Sequence, residues 1–279
     1  MRIARLIVLV VWCCLPTLAF SAQPSRTLRF SPLPLESEHY VKKQFSCFCR
    51  SLAAMTQQKI ELVYKKDYVD ILSALHHDEI DLAYLGPLPY VKVREADTDI
   101  VPLVRFLSRN GESTYTCSLV AFGHNRPDLQ ETCTTVALTQ PYSTCGYLVT
   151  EALLSSFHQS LQQCPYTYAG NHEQAALAVV RGEAVLAGVK TAIARQYENL
   201  GLTVLQESTA LPGFLLVANQ RTLGKEQVDM LRQNLLAREP QSISEWGELV
   251  RYGMIEAKNE DYDVIRTLLK RHPIPDIAP

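Results

Sequence analysis

The apolar run Ile60-Glu61-Leu62-Val63-Tyr64 is followed by residues 68–77, in which Ile71, Leu72 and Leu75 keep helical spacing. Asp81-Leu82-Ala83-Tyr84-Leu85 comes next and is stopped by Gly86-Pro87. An apolar strand, a short helix and a second apolar strand in so short a run predict a βαβ unit and a mostly parallel sheet. The alternation extends in both directions. Upstream, residues 27–31 read as a strand and 38–57 as a helix. Downstream, strands are predicted at 115–122, 135–138, 166–169, 185–189 and 213–218, with helices at 144–157, 173–181, 192–200 and 225–236. Gly182 and Gly201 stand where two of these helices stop. The last helix places Val228, Leu231 and Leu235 on one face. The tail carries Trp246, Tyr252 and Ile265 and ends in a proline-rich segment.

Two such series in one chain predict two α/β lobes with a cleft between them. The first lobe takes residues 23–114 and 214–279, and the second takes 115–213. Hinge strands are expected near 115–120 and 211–216.

The bulk properties exclude several classes. The chain has 279 residues, 47% of them apolar and 20% charged, which is the composition of a folded domain. A net charge of −2 argues against a broad basic surface for nucleic acid. The only apolar run that approaches a membrane span is at the N-terminus. There Arg2 and Arg5 precede an apolar stretch at 6–15, then Pro16 and the small-residue tract Ala19-Phe20-Ser21-Ala22. That order describes a cleavable signal peptide over 1–22, with the periplasm as destination. Val11-Trp12 before Cys13 does not fit a lipid-bearing cysteine. Loss of Arg2, Arg5, Cys13 and Cys14 with this segment leaves a net charge of −4 and six of the eight cysteines.

Open α/β sheets hold ligands beyond the carboxyl ends of their strands, and three turns occupy such positions. The first is Thr139-Gln140-Pro141-Tyr142-Ser143-Thr144-Cys145-Gly146-Tyr147. Ser143 is a good N-cap, and the amides of Thr144, Cys145 and Gly146 would point outward from the first turn. With the hydroxyls and the helix dipole they make an anion receptor without any lysine. Gly146 would let a ligand approach the backbone. A plain capped helix is the other reading of the same residues. The second turn is Ala169-Gly170-Asn171-His172-Glu173-Gln174, where His172 would donate to an oxyanion with a charge that depends on pH; the helix start lowers its tendency to ionise, so a neutral donor is expected until an anion arrives. The third is Gly86-Pro87-Leu88-Pro89-Tyr90, where Tyr84 and Tyr90 either close over a ligand or pack at the sheet end.

The order of these segments carries a resemblance. Asp81-Leu82-Ala83-Tyr84-Leu85-Gly86-Pro87 resembles the Asp-x-Ala-aromatic-x-Gly-Pro element of phosphonate/phosphite-type substrate-binding proteins of ABC transporters. Ser143-Thr144-Cys145-Gly146-Tyr147-Leu148 is similar to their Ser-Thr-Ser-Gly-aromatic-Leu motif, and Gly170-Asn171-His172-Glu173 to their Gly-x-His segment. Leu211-Pro212-Gly213-Phe214 resembles the return crossing to the first lobe. The resemblance runs from about residue 28 to residue 236. It implies a type II periplasmic-binding-protein fold that closes on its ligand. The function implied is non-enzymatic capture of a small oxyanion, without a cofactor, by a monomer that hands it to an inner-membrane ABC permease. Ser143, Thr144, the Gly146 backbone and His172 would hold the anion. Tyr90 would be a first-lobe contact, with Tyr40 or Glu38 as another. Two positions depart from the family pattern: Cys145 replaces a hydroxyl, and Lys190-Thr191 stands where aminophosphonate binders would want an acidic residue.

The cysteines add further expectations. Cys133 and Cys164 each precede a short second-lobe strand; if those strands are parallel neighbours, their starts lie within disulfide reach. Cys117 and Cys145 either pair or stay free. Cys47 and Cys49, two apart on a helix, point to different sides. A free Cys145 at a helix N-terminus would favour its thiolate. It would then bind a soft oxyanion such as arsenite and signal to a sensor histidine kinase, or act as a nucleophile with His172 as base. No carboxylate is placed to orient such a base. His76-His77-Asp78-Glu79 reads as a solvated helix end rather than a metal site.

Overall fold

The computed structural model describes residues 26–123 and 134–275. The signal-peptide segment and Cys133 lie outside the described residues.

The chain begins with β1 (Leu28–Pro32), α1 (Glu38–Thr56), β2 (Ile60–Leu62), α2 (Tyr68–His76), β3 (Leu82–Leu85), α3 (Pro87–Ala96) and β4 (Ile100–Phe106). It crosses through β5 (Thr114–Tyr115) into β6 (Cys117–Phe122) and β7 (Val136–Leu138). A π-helical turn, Thr144–Val149, then runs directly into α4 (Thr150–Ser155). The second series continues with β8 (Tyr166–Tyr168), α5 (His172–Val180), β9 (Leu186–Lys190), α6 (Thr191–Gln196) and β10 (Leu202–Glu207). The chain returns through β11 (Leu211–Pro212) to β12 (Leu215–Asn219), α7 (Gln220–Leu223), α8 (Lys225–Leu236), β13 (Met254–Glu256) and α9 (Asp263–Arg271).

Two main sheets result, in the orders β13-β4-β12-β3-β1-β2 and β10-β6-β9-β7-β8. Between them β5 pairs antiparallel with β11, joining the two crossings. The sheets are mixed rather than mostly parallel. Strands within each βαβ series pair parallel, as β1 does with β2 and β3, and β7 with β8 and β9. The strands that enter or leave a lobe run the other way: β12 is antiparallel to β3 and β4, and β6 to β9 and β10. A crossing strand comes into its sheet from the hinge end, which reverses its direction.

Side-chain alternation assigns the two faces of the first sheet. Leu82, Tyr84, Leu216 and Ala218 pack with Phe45, Phe48, Leu231 and Trp246 under α1 and α8. Ala83, Leu85, Leu215 and Val217 pack with Ile71, Leu75, Leu88, Val91 and Tyr262 under α2, α3 and α9. With both faces covered, β3 is apolar throughout, which is why it reads as an unbroken run.

The prolines after Gly86 begin a helix instead of a turn. Pro87 opens α3, where the missing N–H costs nothing and the fixed φ suits the helix. The tail is folded as well: Trp246 and Ile265 are buried, and α9 packs on α3.

Gly188 in β9 is required by packing. A Cβ there would sit 1.5 Å from Thr150 Oγ1 and 3.0 Å from the Cys145 carbonyl oxygen. The Thr150 hydroxyl donates to that carbonyl at 2.7 Å, so it is not free to swing away. Gly188→Ala is expected to lower stability by about 1–3 kcal/mol through overpacking. Urea unfolding that leaves the midpoint unchanged would refute this packing.

Candidate functional site

One small crevice lies between the lobes. Its walls include Leu33, Tyr68, Gly86 and Pro89 from the first lobe, Ser143, Thr144, Cys145 and His172 from the second, and Tyr115 and Phe214 from the crossings. Tyr68, Pro87, Thr144 and His172 each occupy the first position of a helix. Helix starts carry unsatisfied N–H groups and the positive end of the dipole, so their convergence makes the crevice favourable to an anion.

At the first of these turns, Ser143 is an extended N-cap whose Oγ accepts the Gly146 N–H at 3.1 Å. That amide is therefore used, and those of Thr144 and Cys145 remain the outward donors of the turn. Gly146 has a packing reason of its own. A Cβ there would meet Thr139 Oγ1 at 2.2 Å and Ser143 Cβ at 2.9 Å, so the glycine is demanded by the packing behind the turn. Thr144 Oγ1 accepts the Leu88 N–H from the start of α3 at 3.0 Å, a bond that crosses between the lobes. It also faces the Tyr115 phenol, whose pKa burial raises while Thr144 pulls it down.

Cys145 carries no thiol. Its sulfur is bonded to Cys117 at the start of β6, with the Cα atoms 5.3 Å apart. This corrects the reading of Cys145 as a ligand for a soft oxyanion, and with it the nucleophile reading. Cys164 is also disulfide-bonded; the expected partner, Cys133, lies outside the described residues. Cys47 and Cys49 are free, and burial pushes the Cys49 thiol up to about 12.

His172 follows the N-cap Asn171, whose Oδ1 accepts the Gln174 N–H at 2.8 Å. Its Nδ1 accepts the backbone N–H of Lys190 at 3.1 Å. An acceptor Nδ1 carries no proton, so the neutral ring has its proton on Nε2, free to donate. Burial, reinforced by the Lys190 charge, lowers its pKa to about 3. This direction agrees with the neutral donor expected of a histidine at a helix start.

Gln140 ties these turns together. Its Nε2 donates to the Gly170 carbonyl at 2.7 Å and to the Pro34 carbonyl at 3.4 Å, while its Oε1 accepts the Tyr68 N–H at 3.3 Å. One buried amide thus links the His172 turn to two segments of the first lobe.

The expected tyrosines are elsewhere. The Tyr90 hydroxyl donates to Asn259 Oδ1 at 2.9 Å, and its ring packs on Tyr262. Helix α3 begins at Pro87, so residue 90 has already turned toward α9. Tyr84 is stacked on Phe214 inside the first-lobe core. Tyr40 is exposed on α1, 41% of its surface in solvent, and Glu38 ion-pairs with Lys42 at 2.6 Å. None of the four walls the crevice.

Sequence reasoning passed over Tyr68, Tyr115, Phe214 and Gln140. Tyr68 had a legible signal, because Asp67-Tyr68 stands at a strand-to-helix turn like Ser143-Thr144 and Asn171-His172, with Asp67 Oδ1 accepting the Asp70 N–H. Tyr115 and Phe214 are brought in by the crossings, and no local pattern marks them. Among the described residues, no group of three or more His, Cys, Asp or Glu side chains is arranged to hold a metal.

The family described as "ABC transporter, phosphonate, periplasmic substrate-binding protein" matches residues 30–262. The "Phosphate-import protein PhnD" of Mycolicibacterium smegmatis is 24% identical over 275 residues, covering 86% of this chain and 84% of that protein. Among solved structures, PhnD1 from Prochlorococcus marinus in complex with methylphosphonate superposes with a TM-score of 0.74 at 13% identity, over 88% of this chain and 97% of that one. A binding protein component of an ABC phosphonate transporter from Pseudomonas aeruginosa gives 0.71 at 20% identity, over 88% and 86%.

Proposed function

Since the chain belongs to the periplasmic substrate-binding family of phosphonate ABC transporters, a family of carriers and not of enzymes, we propose that its crevice captures one small tetrahedral oxyanion. Phosphate, phosphite and short phosphonates are the class. The observation behind this reading is that Ser143, Thr144, Cys145 and His172 line one interlobe space, with His172 Nδ1 used as an acceptor so that its proton sits on Nε2. Fixed backbone and imidazole dipoles stabilise an anion at helix starts.

Closure follows from the same residues. The Leu88–Thr144 and Gln140–Pro34 bonds cross between the lobes, and the short β5–β11 pair is the hinge about which they part. A ligand that touches both lobes favours the closed state by its differential affinity. In this reading the signal segment exports the chain to the periplasm, where it delivers the anion to an inner-membrane permease. No helix among the described residues is long and apolar enough to cross a membrane.

Ser143→Ala combined with Thr144→Ala removes the cap and the hydroxyl at the crevice. Calorimetric titration with methylphosphonate and with phosphate should show binding weakened by about 1–3 kcal/mol, roughly fivefold to 150-fold. Unchanged affinity for both anions would overturn the assignment.

A further inference from the structure

Lys190 ends β9, one residue before α6. Its backbone N–H holds His172 Nδ1, so it is fixed to a wall of the crevice. Its ammonium lies 5.2 Å from the ring centroid of Tyr115 and 5.4 Å from that of Phe214, two further walls of the same space. No carboxylate and no hydrogen-bond acceptor pairs with this ammonium among the described residues. The contrast with the nearby charges is plain: Arg195 pairs with Glu207, and Thr116 and Ser118 bond Thr191, all leaving Lys190 aside.

Two aromatic faces compensate a cation only in part. A half-buried ammonium without an anion beside it is an unfavourable arrangement, and an arriving anion relieves it. Burial lowers the Lys190 pKa, consistent with that arrangement.

Resting on the oxyanion reading above, we propose that Lys190 reads the ligand's charge. It supplies the countercharge for the second negative charge of a dianionic tetrahedral ligand and excludes ligands that carry an ammonium group. The turn donors recognise the tetrahedral shape; Lys190 separates a phosphonate dianion from a sulfonate monoanion of the same shape.

The experiment is calorimetry at a pH where methylphosphonate is dianionic, with methylphosphonate, methanesulfonate and 2-aminoethylphosphonate against wild type, Lys190→Met and Lys190→Arg. Wild type should bind methylphosphonate most tightly. Lys190→Met should lose roughly tenfold or more for methylphosphonate and less than about threefold for methanesulfonate, and should narrow the gap to 2-aminoethylphosphonate. Lys190→Arg, which keeps the charge, should keep the order and controls for folding. Tight wild-type binding with equal losses for both methyl compounds in Lys190→Met would overturn the role of Lys190 alone. Failure of wild type to bind any of the three would overturn this proposal, and failure to bind phosphate and phosphite in the same titrations as well would overturn the oxyanion reading.

Discussion

Serine at both Cys117 and Cys145 should lower stability by about 3–4 kcal/mol, the loop-closure value for a bridge spanning 28 residues. At this chain length that corresponds to a fall in Tm of roughly 10 °C. The bridge ties the start of β6, where the chain enters the second lobe, to the first turn of the Thr144 helix. Without it that turn is held by the Ser143 cap, the Thr150–Cys145 hydroxyl bond and packing. The unfolded chain gains the freedom that the bridge removed. Scanning calorimetry with and without reductant measures the effect. A double serine variant within about 1 °C of wild type would show that the bridge does not contribute in this way. In the proposed reading the bond also holds Cys145 at the wall of the crevice.

Removing the imidazole of His172 has the second large effect, and it acts on two properties. His172→Ala should weaken oxyanion binding by about 1.5–3 kcal/mol, the value of a hydrogen bond to a charged group. The loss should persist at pH 8, because the ring donates as a neutral imidazole. The unliganded protein gives a separate readout. In the folded state the pKa lies near 3, below the value of about 6.5 that an unfolded chain shows. Between those values the unfolded state takes up a proton that the folded state refuses. The stabilisation is therefore complete above about pH 6.5 and is lost as pH falls toward 3. Relative to His172→Asn, which keeps an acceptor for the Lys190 N–H, wild type should lose up to about 1.4 kcal/mol per pH unit over that window. Parallel stability–pH curves for the two proteins would contradict a buried neutral imidazole.

The parts of this molecule legible in the sequence are those set locally. Apolar runs such as residues 82–85 mark buried strands, and Ser143 and Asn171 mark helix starts by their capping chemistry. The motif order led to the family and its two-lobed fold. What stayed hidden depends on distant contacts or on opposing rules. Pro87 and Pro89 look like breakers, yet a proline at a first helical position is tolerated, so they open α3 where the sequence suggests a turn, and the Tyr90 hydroxyl meets Asn259. Strand direction at β6 and β12 depends on how the chain crosses between lobes, which no short pattern records. At Gly146 the ligand and the packing of Thr139 both explain a missing side chain; only coordinates separate them. The tautomer of His172, with its proton on Nε2, is set by a backbone N–H eighteen residues later in the chain.

A crystal structure with methylphosphonate tests the central claim most directly. The account predicts the phosphonate in the space between the lobes, with its oxygens within about 3.2 Å of the Thr144 and Cys145 amide nitrogens and of His172 Nε2. An anion bound outside this crevice, or one that reaches neither the amides nor the imidazole, would contradict it.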